Sequence, residues 1–485
     1  MKSPARTSTL ILAAVLAAAF VLRIFPLYRE SFAGDETFTL GVVSQPWGQA
    51  LRAVEQDAVT PPFHVLLLKA WRSLVGPSLG ALRLFSLLCG LTVVLMTVIL
   101  GRMIFPDKRV SLLAGALVAF NEWQVLTSFY VRHYSLYAAL VLLLLICLER
   151  AIREAESVRP WLAFVAVAGA LVYTHYIGWL FILGTLPAVL FAGRAKHLWR
   201  WGVSCFVTFL LFLPWLVVEF PMVKARGLRM GMDWVPQTKV SSFLDTMAIF
   251  GGKPFWKGGI FLPVLISAIL IAAAGVGLFK ASRVSTGSRE RRGAFLLGGA
   301  ALLVPILLLL ICIPPLSLPY WGNRHLVPAQ APFALLLSFG LFSLARRSRA
   351  VAALGIFVLV CLQLVPTLDG VLRFRLDPYN KVAAFLIREN KASREVFVMP
   401  KFGIGWLNHY LDPGNQARDF PAGHKLRSKL PGSFWLIYKP AVEEDVARLR
   451  RLLKAGYSVQ NMKSFMKRSS DLNGLRVVLL QKPPH

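Results

Sequence analysis

Acidic residues are scarce in this chain: 24 Asp and Glu stand against 54 Lys and Arg, for a net charge of +30. Charged residues of both signs make up only 16% of the sequence against 56% hydrophobic, too few to cover the surface of an ordinary soluble domain. The basic residues form no long stripe for nucleic acid. They sit in short clusters between apolar runs, where they anchor membrane topology, so no nucleic-acid partner is expected. Cysteine is also sparse. Cys89, Cys147, Cys205, Cys312 and Cys361 all fall within apolar runs, which excludes a disulfide framework and a thiolate metal site. The first apolar run has no A-x-A cleavage site and contains Arg23, so it reads as a retained span rather than a signal peptide. No internal repeat is visible.

Long hydrophobic sequence is what the chain has most of, at a mean hydropathy of +0.60. Apolar runs lie near 8–27, 79–104, 110–127, 133–150, 160–176, 177–193, 200–220, 258–280, 294–314, 326–345 and 350–367, which predicts a polytopic α-helical membrane protein with about eleven transmembrane helices. The connections after even-numbered runs are short and basic: "GRMIFPDKR", "ERAIREAESVRP", "GRAKHLWR", "KASRVSTGSRERR" and "ARRSRA". Lys and Arg stay on the cytoplasmic side, which places these loops and the N-terminus inside. The loops after odd-numbered runs and the C-terminus then lie outside. The expected setting is the inner (cytoplasmic) membrane, crossed many times, with the working face on the periplasmic or extracytoplasmic side.

Those outer loops hold the unusual polar residues: "GDE", "TPPFH", "YVRHY", "YTHY" and "YWGNRH". A single His or Tyr at a membrane boundary usually anchors to headgroups. Five such groups on one face, assigned from basic residues elsewhere, point to one polar site. The first outer loop also carries two interfacial helices. One runs through "TFTLGVVSQPWGQALRAV" and breaks at Gln45 and Pro46. The other begins after Pro61 and Pro62, where missing N–H donors cost little. Phe63, Leu66, Leu67, Ala70, Trp71 and Leu74 share a face of the second at helical spacing, with Lys69 and Arg72 free to turn to the headgroups. Asp57 and His64 flank its Pro pair. A later outer loop, 220–257, suits a cover over a lipid-linked substrate, with Asp233 and Trp234 its notable residues.

Beyond about residue 369 the character changes. "YNKVAAFLIREN", "REVFVMP", "GSFWLIYKP", "VEEDVARLRRLLKAGY" and "LRVVLLQKP" alternate helical and strand-like patterns, predicting a small α/β domain over 370–485 on the outer face, beside a membrane domain over 1–369. It has no nucleotide-binding glycine loop. Shaping the acceptor side or capping the membrane core is the expected role, and its basic excess suits anionic headgroups.

Taken together, "GDE" after the first span, "TPPFH", "ALRLFSLLCG", "FYVRHYSLYAALVLLLL" and "NRHLVPAQAPFALLL" give the chain a resemblance. It resembles the fold-C glycosyltransferases, which take a sugar from a polyprenyl phosphate carrier, and among them the protein O-mannosyltransferases and lipid A aminoarabinose transferases. The resemblance implies an acidic first-loop residue as general base beside the acceptor and cationic side chains on the carrier phosphate. Asp35 matches the acidic position, with Glu36 beside it to orient the acceptor; Asp35 also suits a helix N-cap. Arg132 and Arg324 each open a span at the outer boundary and each is followed by a histidine, so Arg132, His133, Arg324 and His325 are the candidates for donor phosphate. A guanidinium grips phosphate oxygens bidentately and stays charged; the ordinary alternative is snorkelling to headgroups. Arg83 is a weaker candidate with a structural role. Asp57, His64, Tyr134, Tyr173, His175 and Tyr320 are the candidates for the remaining substrate contacts.

The implied activity is inverting transfer of a monosaccharide from polyprenyl phosphate to a hydroxyl acceptor on a protein, glycolipid or polysaccharide. Imidazoles and carboxylates share this face, and related enzymes differ in metal use. No ligand spacing such as H-E-x-x-H is present, so no metal or other cofactor is predicted. A transporter or flippase of a lipid-linked sugar is the competing class. It would place charged or broken helices near the midplane and show repeats, whereas the polar groups here gather at one face.

Overall fold

The computed structural model describes residues 4–29, 31, 34–57, 59–154, 156–227, 237–252, 261–283, 289–345, 348–372, 379–399, 403–408, 410–411, 416–420, 430–440, 442–465 and 475–482. Two units divide the chain: Met1–Phe25 with Val42–Leu368, and Pro26–Gly41 with Asp369–His485.

The first unit is a helical bundle. In a bilayer core no water is at hand for backbone groups, so apolar segments close their own hydrogen-bond ladders. In chain order the helices are α1 (Pro4–Arg29), α2 (Gly34–Ser44), α3 (Trp47–Asp57), α4 (Phe63–Val75), α5 (Leu79–Ile104), α6 (Lys108–Ala119), α7 (Glu122–Thr127), α8 (Tyr134–Arg153) and α9 (Arg159–Val172). They continue as α10 (Gly178–Gly184), α11 (Leu186–Phe191), α12 (Ala195–Arg226), α13 (Ser241–Phe250), α14 (Phe261–Ser282), α15 (Arg289–Gly298), a five-residue π segment, α16 (Val304–Cys312), α17 (Asn323–Ala345) and α18 (Arg349–Leu372). Each of the eleven apolar runs is mostly helical over its described residues. Among the described residues seven helices are long and apolar enough to cross a membrane: Thr7–Leu27, Leu79–Ile104, Tyr134–Arg153, Ala195–Ala225, Arg289–Cys312, Asn323–Leu344 and Ala352–Leu372.

Local chemistry accounts for the shorter pieces. The run at 110–127 divides into α6 and α7 because Asn121 starts a new helix, its Oδ1 accepting from the Trp123 and Gln124 amides at 3.0 and 3.2 Å. The same side chain donates Nδ2 to Gln363 Oε1 at 2.8 Å and to the Ile249 carbonyl at 3.0 Å, so the break is also a tie between distant helices. At the "YTHY" turn α9 gives way to α10, with the Tyr173 carbonyl accepting the Phe63 amide at 2.9 Å.

The break at Gln45 and Pro46 falls between α2 and α3, and α4 starts directly after Pro62. The opposite face of α4 packs inward. Leu74 is 81% exposed, whereas His64, Val65, Leu68 and Lys69 are buried. The Lys69 ammonium does not reach headgroups: Nζ donates to the carbonyls of Val43, at 3.3 Å, and Gln45, and lies 5.0 Å from the Trp47 ring. The last carbonyls of a helix have no intrahelical donor and carry partial negative charge, so the end of α2 draws the lysine inward.

Two buried charges hold the bundle. Arg23 donates Nη1 to the Ala119 carbonyl at 2.9 Å and Nε to Ser128 Oγ at 3.1 Å, tying α1 to the ends of α6 and α7. At the basic ends of the helices, fully buried Glu149 accepts Arg153 Nε at 2.9 Å and Arg292 Nη2 at 2.8 Å, joining α8 to α15. Arg83 is fully buried in α5. Helices α14 and α17 meet backbone to backbone: a Cβ on Gly340 would lie 2.2 Å from the Ala273 carbonyl oxygen, and one on Gly277 would lie 2.5 Å from that of Leu336. Without a strong hydrophobic drive in lipid, such small-residue contacts carry helix association. Gly340→Ala is therefore expected to destabilise the protein by roughly 1–3 kcal/mol through overpacking, read as a lower melting temperature in detergent, while Gly169→Ala, with open space around it, leaves it unchanged.

The second unit contains a five-stranded sheet of β1 (Val396–Val398), β2 (Arg418–Asp419), β3 (Ser433–Tyr438), β4 (Ser458–Phe465) and β5 (Leu475–Gln481), ordered β2-β1-β3-β5-β4. β2, β1 and β3 run parallel; β3, β5 and β4 are antiparallel. Alternation sends Val396, Val398, Trp435 and Ile437 to one face, against Tyr379, Val382 and Leu386 of α19 (Tyr379–Glu389). Phe397, Phe434, Leu436 and Tyr438 go to the other, against Leu452 of a helix over Glu443–Lys454. Asn380 donates its amide to Ser31 Oγ at 3.4 Å.

Candidate active site

The first unit gathers candidates from four places in the chain: His64 from α4, Arg132 and His133 from the turn before α8, His175 from the turn after α9, and Arg324 and His325 from the first turn of α17. Their imidazoles form a row. Ring centroids are 6.1 Å apart for His64–His133, 5.0 Å for His133–His175 and 5.0 Å for His175–His325. Tyr134 lines it, 4.4 Å from His133 and 6.2 Å from His325. Beneath it Tyr137 stacks on His175 at 4.8 Å and 17°.

Two hydrogen bonds orient one end of the row. His175 Nδ1 accepts the Ile177 amide at 3.1 Å, so in the neutral ring the proton sits on Nε2. His325 Nδ1 lies 2.8 Å from the Tyr320 carbonyl and must be the donor there. At the other end His64 and His133 are each 3% exposed, and their Nε2 atoms have no hydrogen-bond partner among the described residues.

Burial, with nearby cations and imidazoles, disfavours the charged form of His64, His133 and His175. Burial, then the Arg132 guanidinium, pulls the His64 pKa down to about 3. Burial and the neighbouring His325, Arg132 and Arg324 hold His175 well below the usual imidazole range, and burial with His175, Arg132, His64 and His325 does the same for His133. Both arginines therefore lie within electrostatic reach of His175. The folded pKa of His64 is below its ordinary 6.5, so over that window the unfolded chain binds more protons. Stability is complete above pH 6.5 and falls on acidification towards 3, by on the order of 1 kcal/mol per pH unit. Melting at pH 5 is expected below that at pH 7, with His64→Gln losing part of the difference.

Other candidates take different places. Tyr173 donates its hydroxyl to the Leu211 carbonyl at 2.9 Å and packs edge-on against Phe212, so it faces α12 rather than the imidazole row. Asp57 ends α3 half-buried, within electrostatic reach of Glu219. Tyr320 is half-buried and interacts with the same carboxylate. Glu219 itself is not among the residues the sequence singles out. It accepts the Tyr176 hydroxyl, which in turn accepts Trp215 Nε1 at 3.2 Å. Burial and Glu219 push the Tyr176 phenol up, keeping it a donor. The signal is one acid near the C-terminal end of an otherwise apolar run.

Asp35 and Glu36 belong to the second unit, in the first turn of α2, where carboxylates complement the helix N-terminus. Asp35 is half-buried and Glu36 fully buried. Asp233 and Trp234 lie outside the described residues. Among the described residues no group of three or more His, Cys, Asp or Glu is arranged to hold a metal ion.

Comparison with known proteins bears on this arrangement. Residues 59–218, about a third of the chain, match the model of the dolichyl-phosphate-mannose-protein mannosyltransferase family. The structure of ArnT from Cupriavidus metallidurans bound to undecaprenyl phosphate superposes with a TM-score of 0.55 at 14% identity, covering 100% of both chains. The archaeal oligosaccharyltransferase AglB from Archaeoglobus fulgidus, in complex with an inhibitory peptide and a dolichol-phosphate, gives a TM-score of 0.53 at 12% identity over 90% of this chain and 70% of AglB. No curated protein sequence matches the chain. The fold is the one these membrane glycosyltransferases share.

Proposed function

We propose that this chain, a membrane glycosyltransferase of the fold-C class, moves a monosaccharide from a polyprenyl phosphate to a hydroxyl acceptor at the outer face of the membrane, inverting the anomeric carbon. The observation that carries the reading is the approach of Arg132 and Arg324, from the starts of two different spans, to one row of imidazoles. A donor anchored by its tail in the bilayer would present its phosphate to that row. The undecaprenyl phosphate of the ArnT structure and the dolichol-phosphate of the AglB structure support a carrier of this type.

When the bond from the anomeric carbon to the phosphate oxygen breaks, the phosphate gains negative charge. Fixed guanidinium groups stabilise it more in the transition state than in the ground state. One cation about 4 Å from the phosphate contributes on the order of 4 kcal/mol at intermediate dielectric, before desolvation. Neutral imidazoles add hydrogen-bond donors without drawing further anions. The resemblance assigns Asp35 as the base that takes the acceptor's hydroxyl proton and Glu36 as the group that orients the acceptor. Asp57, Tyr134 and Tyr320 suit the sugar hydroxyls, since carboxylate and phenol oxygens accept from them.

The stereochemistry tests the displacement. With donor of known anomeric configuration, NMR of the purified product is expected to show the opposite configuration; retention would overturn the single-displacement mechanism.

A further inference from the structure

We propose that His64 and His133 are a proton-holding pair for the donor phosphate: one imidazole takes up a proton as the phosphate enters between them and Arg132, and passes it to that phosphate when the sugar departs. The inference rests on the reading of this site as a phosphate site.

The geometry singles out these two. All four rings of the row are close, but His175 and His325 each commit Nδ1 to the backbone, which fixes their tautomers. His64 and His133 instead keep buried Nε2 atoms with no partner among the described residues, on rings 6.1 Å apart. A buried polar atom without a partner is destabilising, which a phosphate oxygen at both nitrogens would offset. The charged and titratable groups facing the pair are Arg132 from the turn before α8, His175 from the turn after α9 and His325 from α17. None of them attracts a proton to the pair. An entering anion offsets the field of Arg132, and the imidazole nearest it gains affinity for a proton.

The step balances. The acceptor oxygen bonds to the anomeric carbon as the bond from that carbon to the phosphate oxygen breaks, and the bonding pair stays on that oxygen. The imidazolium proton moves to the phosphate, while the acceptor's own proton goes to the carboxylate base. The products are the glycoside, a singly protonated phosphate monoester and a neutral imidazole, and the base returns its proton to water.

Titration calorimetry on the full-length protein in detergent at pH 7, in two buffers of different ionisation enthalpy, counts the proton. Farnesyl methyl phosphate is the probe, because a phosphodiester keeps one charge throughout and cannot itself take up the proton. Native protein is expected to take up between about half and one proton per phosphate bound. His64→Gln combined with His133→Gln is expected to bind the probe with proton uptake near zero, a change that loss of packing alone would not produce. Saturable binding to native protein without proton exchange would overturn the pair's role, as would undiminished uptake in the double variant. No binding to native protein would overturn the phosphate reading beneath it as well.

Discussion

Replacing Arg132 and Arg324 by Gln is expected to reduce kcat for sugar transfer by about 10²–10³ for each residue, the range for removing one group aimed at developing charge. The reasoning starts from where charge appears. A bound phosphodiester already carries one negative charge, so part of each arginine's contribution is uniform binding and shows in KM. The second charge appears only as the sugar leaves, and that share falls on kcat. Gln keeps an amide that can hydrogen-bond but loses the charge and some of the reach. Lys is expected to restore only some of the loss, because a point ammonium does not reproduce a bidentate fork. If the arginines only snorkel to headgroups, both substitutions would leave kcat intact. Steady-state rates with a soluble short-chain donor separate the two cases.

Asp35→Asn is expected to lower transfer by about 10²–10⁴, the range for loss of a general base. Asn is nearly isosteric and still serves at the start of a helix, so α2 should form and the protein should melt normally. A stable but inactive protein would thus distinguish catalysis from capping. Glu36→Gln should cost less, because an acceptor-orienting group is not asked to hold the proton. Asp35→Glu, which keeps the carboxylate at the wrong reach, should fall between native and Asn. Retained turnover in Asp35→Asn would remove the base assignment.

Much of the architecture was legible because it follows from local chemistry. Pro62 marks the start of α4, Pro46 separates α2 from α3, and every apolar run is mostly helix over its described residues. Where the reading fell short, the missing partner lay far off in sequence. Asn121 splits one apolar run, and its role as a tie to Gln363 depends on a residue 242 positions away. Lys69 was expected at the headgroups, yet its partners are carbonyls at the end of α2, which no pattern within α4 reveals. The histidines were legible as residues at the ends of apolar runs but not as a row, since nothing in "TPPFH", "YVRHY", "YTHY" and "NRH" fixes their mutual distances. Glu219 was missed because its meaning comes from Tyr176 and Trp215, brought to it by the packing of α12 beside the turn after α9.

A transferase breaks the sugar–phosphate bond at this site, whereas a transporter leaves it whole. Vesicles containing the purified protein and a polyprenyl phosphate bearing a radiolabelled monosaccharide, supplied with a panel of hydroxyl acceptors, test it most directly. The account predicts acceptor-dependent transfer of label with release of free polyprenyl phosphate, lost in Arg132→Gln. Labelled lipid that crosses the bilayer with its sugar still attached, with no acceptor labelled, would contradict it and make the protein a transporter.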